Sequence, residues 1–446
     1  MATETTTYNL TSYEKRSLHL FLLETDDIYV LDMQFPSYVY LTLVIAFLLF
    51  MIFLQFWKFD WNHELCDVGY DFLWERKSMW TSRAARRQMV QDVRKLRHIG
   101  DLPPVYPNGW IALFESNNIS KGQVKHIAAL GESLAVFRSE KGEIMILDAY
   151  CPHLGANLAI GGVVKGDCLQ CPFHGWTFDG STGMCVDIPY SDKALNVAKV
   201  KKWFSCEAND FIYVWYHAEG CDPLWQVEEV PQIKSGEWWF RGRNEFIVNS
   251  HVEDISENAA DTAHLNAIHS QSMLAGSKPG SFNGPQMALT SFFKHKWRAE
   301  WTPNELQQHV GLITIEHCVQ LFGALELMHI HVDGKQIGPT HVKLQLNTTF
   351  GPILVLMEVT PLEPLLQRVV HRFYCPPHLM IYAAIVMYGE NVMIKRDIGA
   401  WNHKKYKKRP LVTKEETMLQ NHRRWYRQFY SEHSPLFTFR RDAIDW

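Results

Sequence analysis

No G-x-G-x-x-G follows a strand anywhere in this 446-residue chain, and no separate four-cysteine ferredoxin spacing is present. The chain therefore has no means of its own to take hydride from a nicotinamide, and any reducing equivalents must come from a separate protein. Internal repeats and low-complexity tracts are also missing, so the length implies more than one globular unit. Neither sign of charge dominates. With 44 Lys+Arg against 48 Asp+Glu, a formal net charge of −4 and no nucleic-acid motif, a nucleic-acid partner is excluded. The nine cysteines follow no regular framework, which suits a reducing compartment rather than a disulfide-bonded exterior.

Charge is wholly absent from Tyr38 to Trp57, a run of about twenty residues with aromatic residues at both ends. At about 1.5 Å per residue such a helix crosses a bilayer, and terminal aromatics mark the two interfaces. A cleavable leader does not fit, because no basic flank adjoins the apolar core and no small-residue cleavage site follows it. A buried core helix is the other reading. No Lys or Arg lies between Ser17 and Pro36, whereas Lys58, Arg76, Lys77, Arg83, Arg86 and Arg87 follow the span. The positive-inside rule then places the remainder of the chain in the cytosol, with the endoplasmic reticulum as the expected membrane. Asp71 to His98 is basic and helix-permitting, with Phe72, Trp74 and Trp80. It reads either as a surface lying on anionic lipid or as a solvated linker.

Four residues carry the first chemical signal. Cys151-Pro152-His153 is followed, after seventeen residues, by Cys171-Pro172-Phe173-His174. Two cysteines and two histidines can hold a Rieske [2Fe–2S] cluster, with thiolates on one iron and neutral imidazoles on the other. The rival is a structural zinc site, but zinc sites normally pair like with like along the chain, whereas each short loop here gives one cysteine and one histidine. Cys168 and Cys185 lie close by and read as small apolar residues or free thiols. Leu134–Arg138 and Glu143–Asp148, separated by Ser139-Glu140-Lys141-Gly142, read as a hairpin, and Phe211–Trp215 as a closing strand.

A second constellation lies downstream. Glu257, Asp261, His264 and His269 spell E-x3-D-x2-H-x4-H. Two histidines with a distant carboxylate form the facial triad of non-haem Fe(II) oxygenases, which leaves positions open for dioxygen. Residues five apart on a regular helix differ by about 140° in direction. His264 and His269 therefore predict a helix broken or bulged between them, while Glu257 and Asp261 share a face. A surface helix with satisfied histidines is the alternative. Asp397, read as lying just ahead of a hydrophobic helix start, is the preferred carboxylate and Glu390 the second choice. Otherwise Asp397 is an N-terminal acid favoured by the helix dipole.

The two motifs together resemble the catalytic subunit of Rieske-type non-haem iron oxygenases, from about residue 100 to the C-terminus. The anchor, with Arg396-Asp397-Ile398-Gly399-Ala400-Trp401-Asn402-His403-Lys404 and His422-Arg423-Arg424-Trp425-Tyr426-Arg427-Gln428-Phe429-Tyr430-Ser431-Glu432, is similar to the Neverland-type cholesterol 7-desaturases of insects and nematodes. The resemblance implies that Cys151, His153, Cys171 and His174 hold the cluster, and that His264, His269 and Asp397 hold mononuclear iron. It further implies that Asp261 joins the iron to His174 of a neighbouring subunit in a homotrimer. O2 and NAD(P)H would be cosubstrates, the latter through a reductase or ferredoxin partner, and the substrate a sterol. The implied reaction is desaturation of cholesterol at C7–C8. Hydroxylation of a steroid or another lipophilic ring is the alternative, and a membrane-tethered Rieske electron carrier is the alternative of another class.

The expected fold is α+β. An N-terminal extramembrane segment (1–36) and a transmembrane helix (37–57) are followed by a basic linker (58–107). An all-β Rieske domain (108–220) comes next, and then a catalytic domain (221–446) whose curved antiparallel sheet grips helices. Strand-like stretches at 311–315, 341–346 and 353–360 support the last. Gly276–Pro285 reads as a loop near the site. Met328-His329-Ile330-His331 puts two histidines on one strand face, as a metal site or as plain surface. Lys404, Lys405, Lys407, Lys408 and Arg409 read as a docking patch or a solvated face.

Overall fold

The computed structural model describes residues 16–24, 27–35, 37–74, 81–192, 197–277 and 292–437. Residues 1–15 of the N-terminal segment, Arg76, Lys77 and Trp80 lie outside the described residues, as does the expected loop from Lys278 onward. The chain divides into two units, 1–57 and 58–446.

In the first unit, Arg16–Glu24 and Asp27–Phe35 pair as an antiparallel hairpin. Helix α1, Ser37–Phe56, follows. Its Tyr38–Phe56 stretch is 19 residues long with mean hydropathy 2.5, and none of it is buried within the protein. At 1.5 Å per residue that is about 29 Å, close to the thickness of a hydrocarbon core. A helix apolar on every side and covered by no protein has a lipid-like surface. One N-terminal helix is thus long and apolar enough to anchor the chain.

The second unit begins inside the stretch read above as a basic linker. Strand β1, Phe59–His63, pairs in parallel with β2, Trp239–Val248. It completes an eight-stranded sheet with β3 Phe293–Pro303, β4 Val310–Leu321, β5 Leu325–Ile337, β6 His341–Thr348, β7 Gly351–Glu363 and β8 Leu366–Cys375. The order is β3-β4-β5-β6-β7-β8-β2-β1, antiparallel except for the last pair. Helix α2, Arg83–Lys95, is capped by the Ser82 hydroxyl accepting from the Ala85 N–H. It buries Val90 against Leu65, Cys66 and Tyr70.

One face of the sheet carries helix α4, Met380–Trp401. Pro376 and Pro377 stop it from starting earlier, and its apolar residues pack in two groups. Met380, Ala383 and Met387 meet Ile353, Val355 and Phe373, while Ile394, Ile398 and Trp401 meet Phe246, Val248 and Val369. Each fully buried aliphatic side chain of this kind contributes about 1.5–3 kcal/mol. Helix α5, Thr417–Tyr426, lies against Trp301, with Tyr426 fully buried.

The part expected to form the small β domain is built of three small sheets over about residues 109–216. Glu132–Arg138 and Ile144–Asp148 form the expected hairpin, and Phe211–Tyr216 pairs with Gly109–Glu115 as the closing strand. Polar bonds hold it to the large sheet. Tyr213 donates to Glu358 at 2.6 Å, Thr360 to the Ala112 carbonyl at 2.6 Å, and Arg368 to Glu115 at 2.9 Å. Glu115 is buried between Arg368 and Arg243. Burial alone would raise its pKa, but the two guanidinium groups outweigh that and hold it below the ordinary value.

Candidate metal centres

The two cysteine loops are built alike. In each, the cysteine carbonyl accepts from the N–H of the glycine four residues on: Gly155 to Cys151 at 2.9 Å and Gly175 to Cys171 at 3.1 Å. Both glycines have φ near +75°, a conformation that resists a side chain, and a Cβ on Gly175 would meet Pro189 Cγ at 2.8 Å. Turning so tightly puts Cys and His of each loop on one side. The His153 and His174 rings lie 4.7 Å apart, and His153 stacks on Trp176 at 4.6 Å and 7°. Trp176 is itself fixed by donating to the Tyr190 hydroxyl at 2.7 Å.

These residues fit a [2Fe–2S] cluster. Cys151 and Cys171 are each 3% exposed, and His153 Nδ1 is buried with no hydrogen-bond partner. Burial, with Cys171 adjacent, pushes the Cys151 thiol up to about 11, so a bound metal is what would make it a thiolate. A single zinc ion would gather all four donor atoms within about 4 Å of one another. Among the described residues, two sets of three or more donors close to within 4.8 Å, and neither includes these loops. A two-iron cluster spreads its donors over two ions and does not require all four to close on one point. Tyr150, Leu154, Phe173 and Tyr190 leave an exposed apolar rim around the histidines.

The second centre is one of the two close sets: His264, His269 and Asp397. The backbone breaks upstream of both histidines rather than between them. Glu257–Ala259 is a short 3₁₀ turn, and Asp261 leaves helical geometry (φ −83°, ψ 81°) to cap a new helix, α3, Thr262–Ile268. Its carboxylate accepts from the His264 N–H at 3.3 Å. His264 stands on α3 and His269 at its C-cap (φ −103°, ψ 1°), so terminating the helix supplies the change of direction expected of a bulge. Glu257 is turned away from Asp261's role by Arg423 and Lys404, which pair with it.

Asp397 does not precede a helix. It lies near the C-terminal end of α4, 5% exposed, where the helix dipole disfavours an anion. The dipole therefore does not account for it. His269 Nε2 is 3.0 Å and His264 Nε2 4.0 Å from its Oδ1, and His264 Nε2 is buried with no hydrogen-bond partner. Ligands about 2.1 Å from one ion at a right angle stand about 3 Å apart. Burial works against charging His264, but Asp261 and Asp397 outweigh it and raise its pKa, an excess of negative potential that a cation would neutralise. Glu390 lies seven residues earlier in α4, about 10 Å along the axis. It is engaged elsewhere, accepting from Asn244 and bonded to His371 Nδ1 at 2.5 Å.

Arg396 carried no assigned role in the sequence. Its guanidinium donates to the carbonyls of Ile268, Gln271, Ser272 and Gly276 at 2.8–3.1 Å, tying the loop after His269 to the helix that bears Asp397. Its position beside Asp397 was the available signal. The pair in Met328-His329-Ile330-His331 separates. His331 bonds Glu316 at 2.6 Å and Asp333 at 3.2 Å on the surface. His329 forms the other close donor set with Cys318 and Glu326, although Glu326 is held by Lys296 at 2.9 Å. Lys404 of the basic run is not free surface, since it pairs at 2.7 Å with buried Asp254.

The triad opens into a cavity of about 280 Å³. Its walls are mainly aliphatic and aromatic, from β3–β8, α3 and α4, with Ile330, Leu346 and Ile385 among them. A carboxylate and two imidazoles at the end of an apolar chamber can hold one metal ion beside an apolar molecule.

Residues 109–203 match the family described as the Rieske [2Fe-2S] domain, and residues 214–430 match the 3-ketosteroid 9alpha-hydroxylase C-terminal domain. The chain is 41% identical to a cholesterol 7-desaturase nvd of Hemicentrotus pulcherrimus, over 94% of this chain and 90% of that protein. It is 42% identical to one of Xenopus laevis, over 81% and 80%. The crystal structure of dicamba monooxygenase bound to dicamba shares the fold, with TM-score 0.55 and 14% identity over 72% of this chain and 97% of that one.

Proposed function

The chain belongs to the cholesterol 7-desaturase family of Rieske oxygenases, and from that premise we propose that it removes two hydrogens across C7–C8 of cholesterol, giving 7-dehydrocholesterol. The observation that carries this reading is the convergence of His264, His269 and Asp397 at the end of an apolar cavity. Proteins of this family use a [2Fe–2S] cluster and non-haem iron with dioxygen, and take electrons from a separate reductase partner.

Cys151, His153, Cys171 and His174 are the residues that would hold the cluster, and His264, His269 and Asp397 those that would hold the iron. With metals bound, the site supplies one-electron delivery and the activation of dioxygen towards an unactivated C–H bond. The chain's own part is placement. Aliphatic walls exclude water and align a rigid apolar ring system beside the triad, Arg396 fixes the loop that follows His269, and Asp261 fixes the His264 backbone.

The Asp261 side chain is 42% exposed and leaves room for a second partner. It is proposed to accept a hydrogen bond from His174 of another copy in a homotrimer, with the apolar rim of the cluster as part of that contact. Asp261→Asn is then expected to retain both metals and lose turnover by about 100-fold or more. Normal product formation by that variant would refute the bridge. The apolar helix supports a single-pass membrane protein, and the proposal extends to a catalytic unit on the cytosolic side of the endoplasmic reticulum that draws its substrate from lipid.

The decisive experiment incubates membranes holding the full chain with labelled cholesterol, dioxygen, NAD(P)H and a reductase system, beside a His264→Ala control. A conjugated 5,7-diene that disappears in the control is the expected outcome. A hydroxysterol with no diene would overturn desaturation in favour of hydroxylation, a reading favoured by the match of residues 214–430 to a hydroxylase domain family. The electron-carrier reading leaves the triad without use, and an iron content equal to the cluster alone would revive it.

A further inference from the structure

The cavity beside the triad is apolar except for a few groups, and most of these are already engaged. Glu390 is held by Asn244 and His371, and the Tyr382 hydroxyl has Thr348 beside it. Asn258 is shared with the cleft beside Asp261. Two further histidines, one on each of two neighbouring strands, remain. His295 on β3 and His317 on β4 both line the cavity, and His295 Nδ1 lies 2.8 Å from His317 Nε2. Trp297 packs on the His317 ring at 4.0 Å and donates to the His269 carbonyl at 3.2 Å, which ties the pair to the iron-side loop. His317 is 8% exposed, and its Nδ1 is buried with no hydrogen-bond partner.

A buried imidazole nitrogen with no partner in an apolar wall costs stability that a bound polar group would restore. The pair also limits what that group can be. One proton lies between the two imidazoles, so His317 Nδ1 is an N–H donor if His295 donates and a bare acceptor if His317 does. A hydroxyl satisfies either state, whereas a carbonyl satisfies only the first. Both rings lie in a wall that is otherwise mainly aliphatic and aromatic, so the pair suits a neutral hydroxyl rather than an anion.

Resting on the sterol reading above, we infer that His317, oriented by His295 and Trp297, binds the lone hydroxyl of the sterol substrate and so fixes which part of the ring system faces the triad. Sterols lacking that hydroxyl should be discriminated against, because they leave the nitrogen unsatisfied.

The test measures equilibrium binding of tritiated cholesterol and of cholest-5-ene, its 3-deoxy analogue, to the full-length detergent-solubilised holoprotein. Wild type is expected to prefer cholesterol by about 10–100-fold. His317→Leu should bring the two to near parity by weakening cholesterol alone. His317→Gln, which can still donate and accept, should keep most of the preference. The visible spectrum of the cluster reports that each variant is folded. An unchanged ratio in His317→Leu, or equal weakening of both sterols, would overturn the inference while leaving the desaturase reading intact. Failure of wild type to bind either sterol would overturn both.

Discussion

The two cysteine loops and the histidine–carboxylate triad, proposed as the cluster and iron sites, bring their donor groups together in opposite ways. Cys151, His153, Cys171 and His174 come from two short loops of similar build, each turned by one glycine near φ +75° and open to the surface. His264, His269 and Asp397 come from a helix, its cap and a second helix more than a hundred residues later, and His269 and Asp397 are nearly sealed from solvent. The first donor set is specified locally, because each loop is shaped by a bond within five residues. The second is specified by the tertiary fold, because packing of α4 on the sheet brings Asp397 to the histidines.

The largest expected effect breaks the two centres separately. Asp397→Ala should remove the mononuclear iron and leave the cluster, while Cys171→Ser should do the reverse. Each should lower turnover by more than about 100-fold, since even the groups that merely orient ligands are worth about 10–100-fold. Iron analysis with the visible and paramagnetic signatures of the cluster checks this. If Asp397→Ala retained full iron, the carboxylate ligand would lie elsewhere.

A smaller effect sharpens the contrast. If the triad depends on long-range packing, loosening the loop that Arg396 ties down should weaken iron without touching the cluster. Arg396→Ala is expected to reduce mononuclear iron affinity by about 10–100-fold in chelator competition, and Arg396→Lys by less, since one ammonium cannot reach all four carbonyls. An equal loss of cluster in Arg396→Ala would argue for general unfolding instead.

This contrast also explains what could be read from the chain alone. The cysteine loops were legible as a motif, because residue type and spacing are written within two short stretches, while the matching glycine turns at Gly155 and Gly175 emerged only from the structure. The two histidines of the triad were legible as a motif, but the path between them was not. The bend comes from helix termination at His269, and the upstream break from the Asp261 cap, and both depend on how the neighbouring turns pack. Asp397 was picked out for the wrong local reason, since α4 runs through it rather than starting after it. Its role depends on a sheet whose strands are paired across the whole second unit. The strand Phe59–His63 was hidden likewise, because five residues with alternating polarity read as linker until β2 offers an edge. His295 and Trp297 do alternate on one strand face, but only the structure sets His317 against them.

The smallest effect concerns the joint between the two regions, at Glu115. Its folded pKa lies below the ordinary value of 4.5, because Arg368 and Arg243 outweigh its burial. The unfolded chain therefore binds more protons than the folded one in the window below that value. The contribution of Glu115 is complete above about pH 4.5 and disappears as the pH falls through its lower folded value. Glu115→Gln should cost about 1–2 kcal/mol at pH 7, less than for a fully sealed ion pair because both arginines are partly solvated. The gap between variant and wild type should narrow steadily as the pH is lowered below about 4.5, measured by urea unfolding followed by tryptophan fluorescence. If instead the gap were constant across this range, the guanidinium contacts would not be what holds the locally specified half of the molecule to the half that depends on packing.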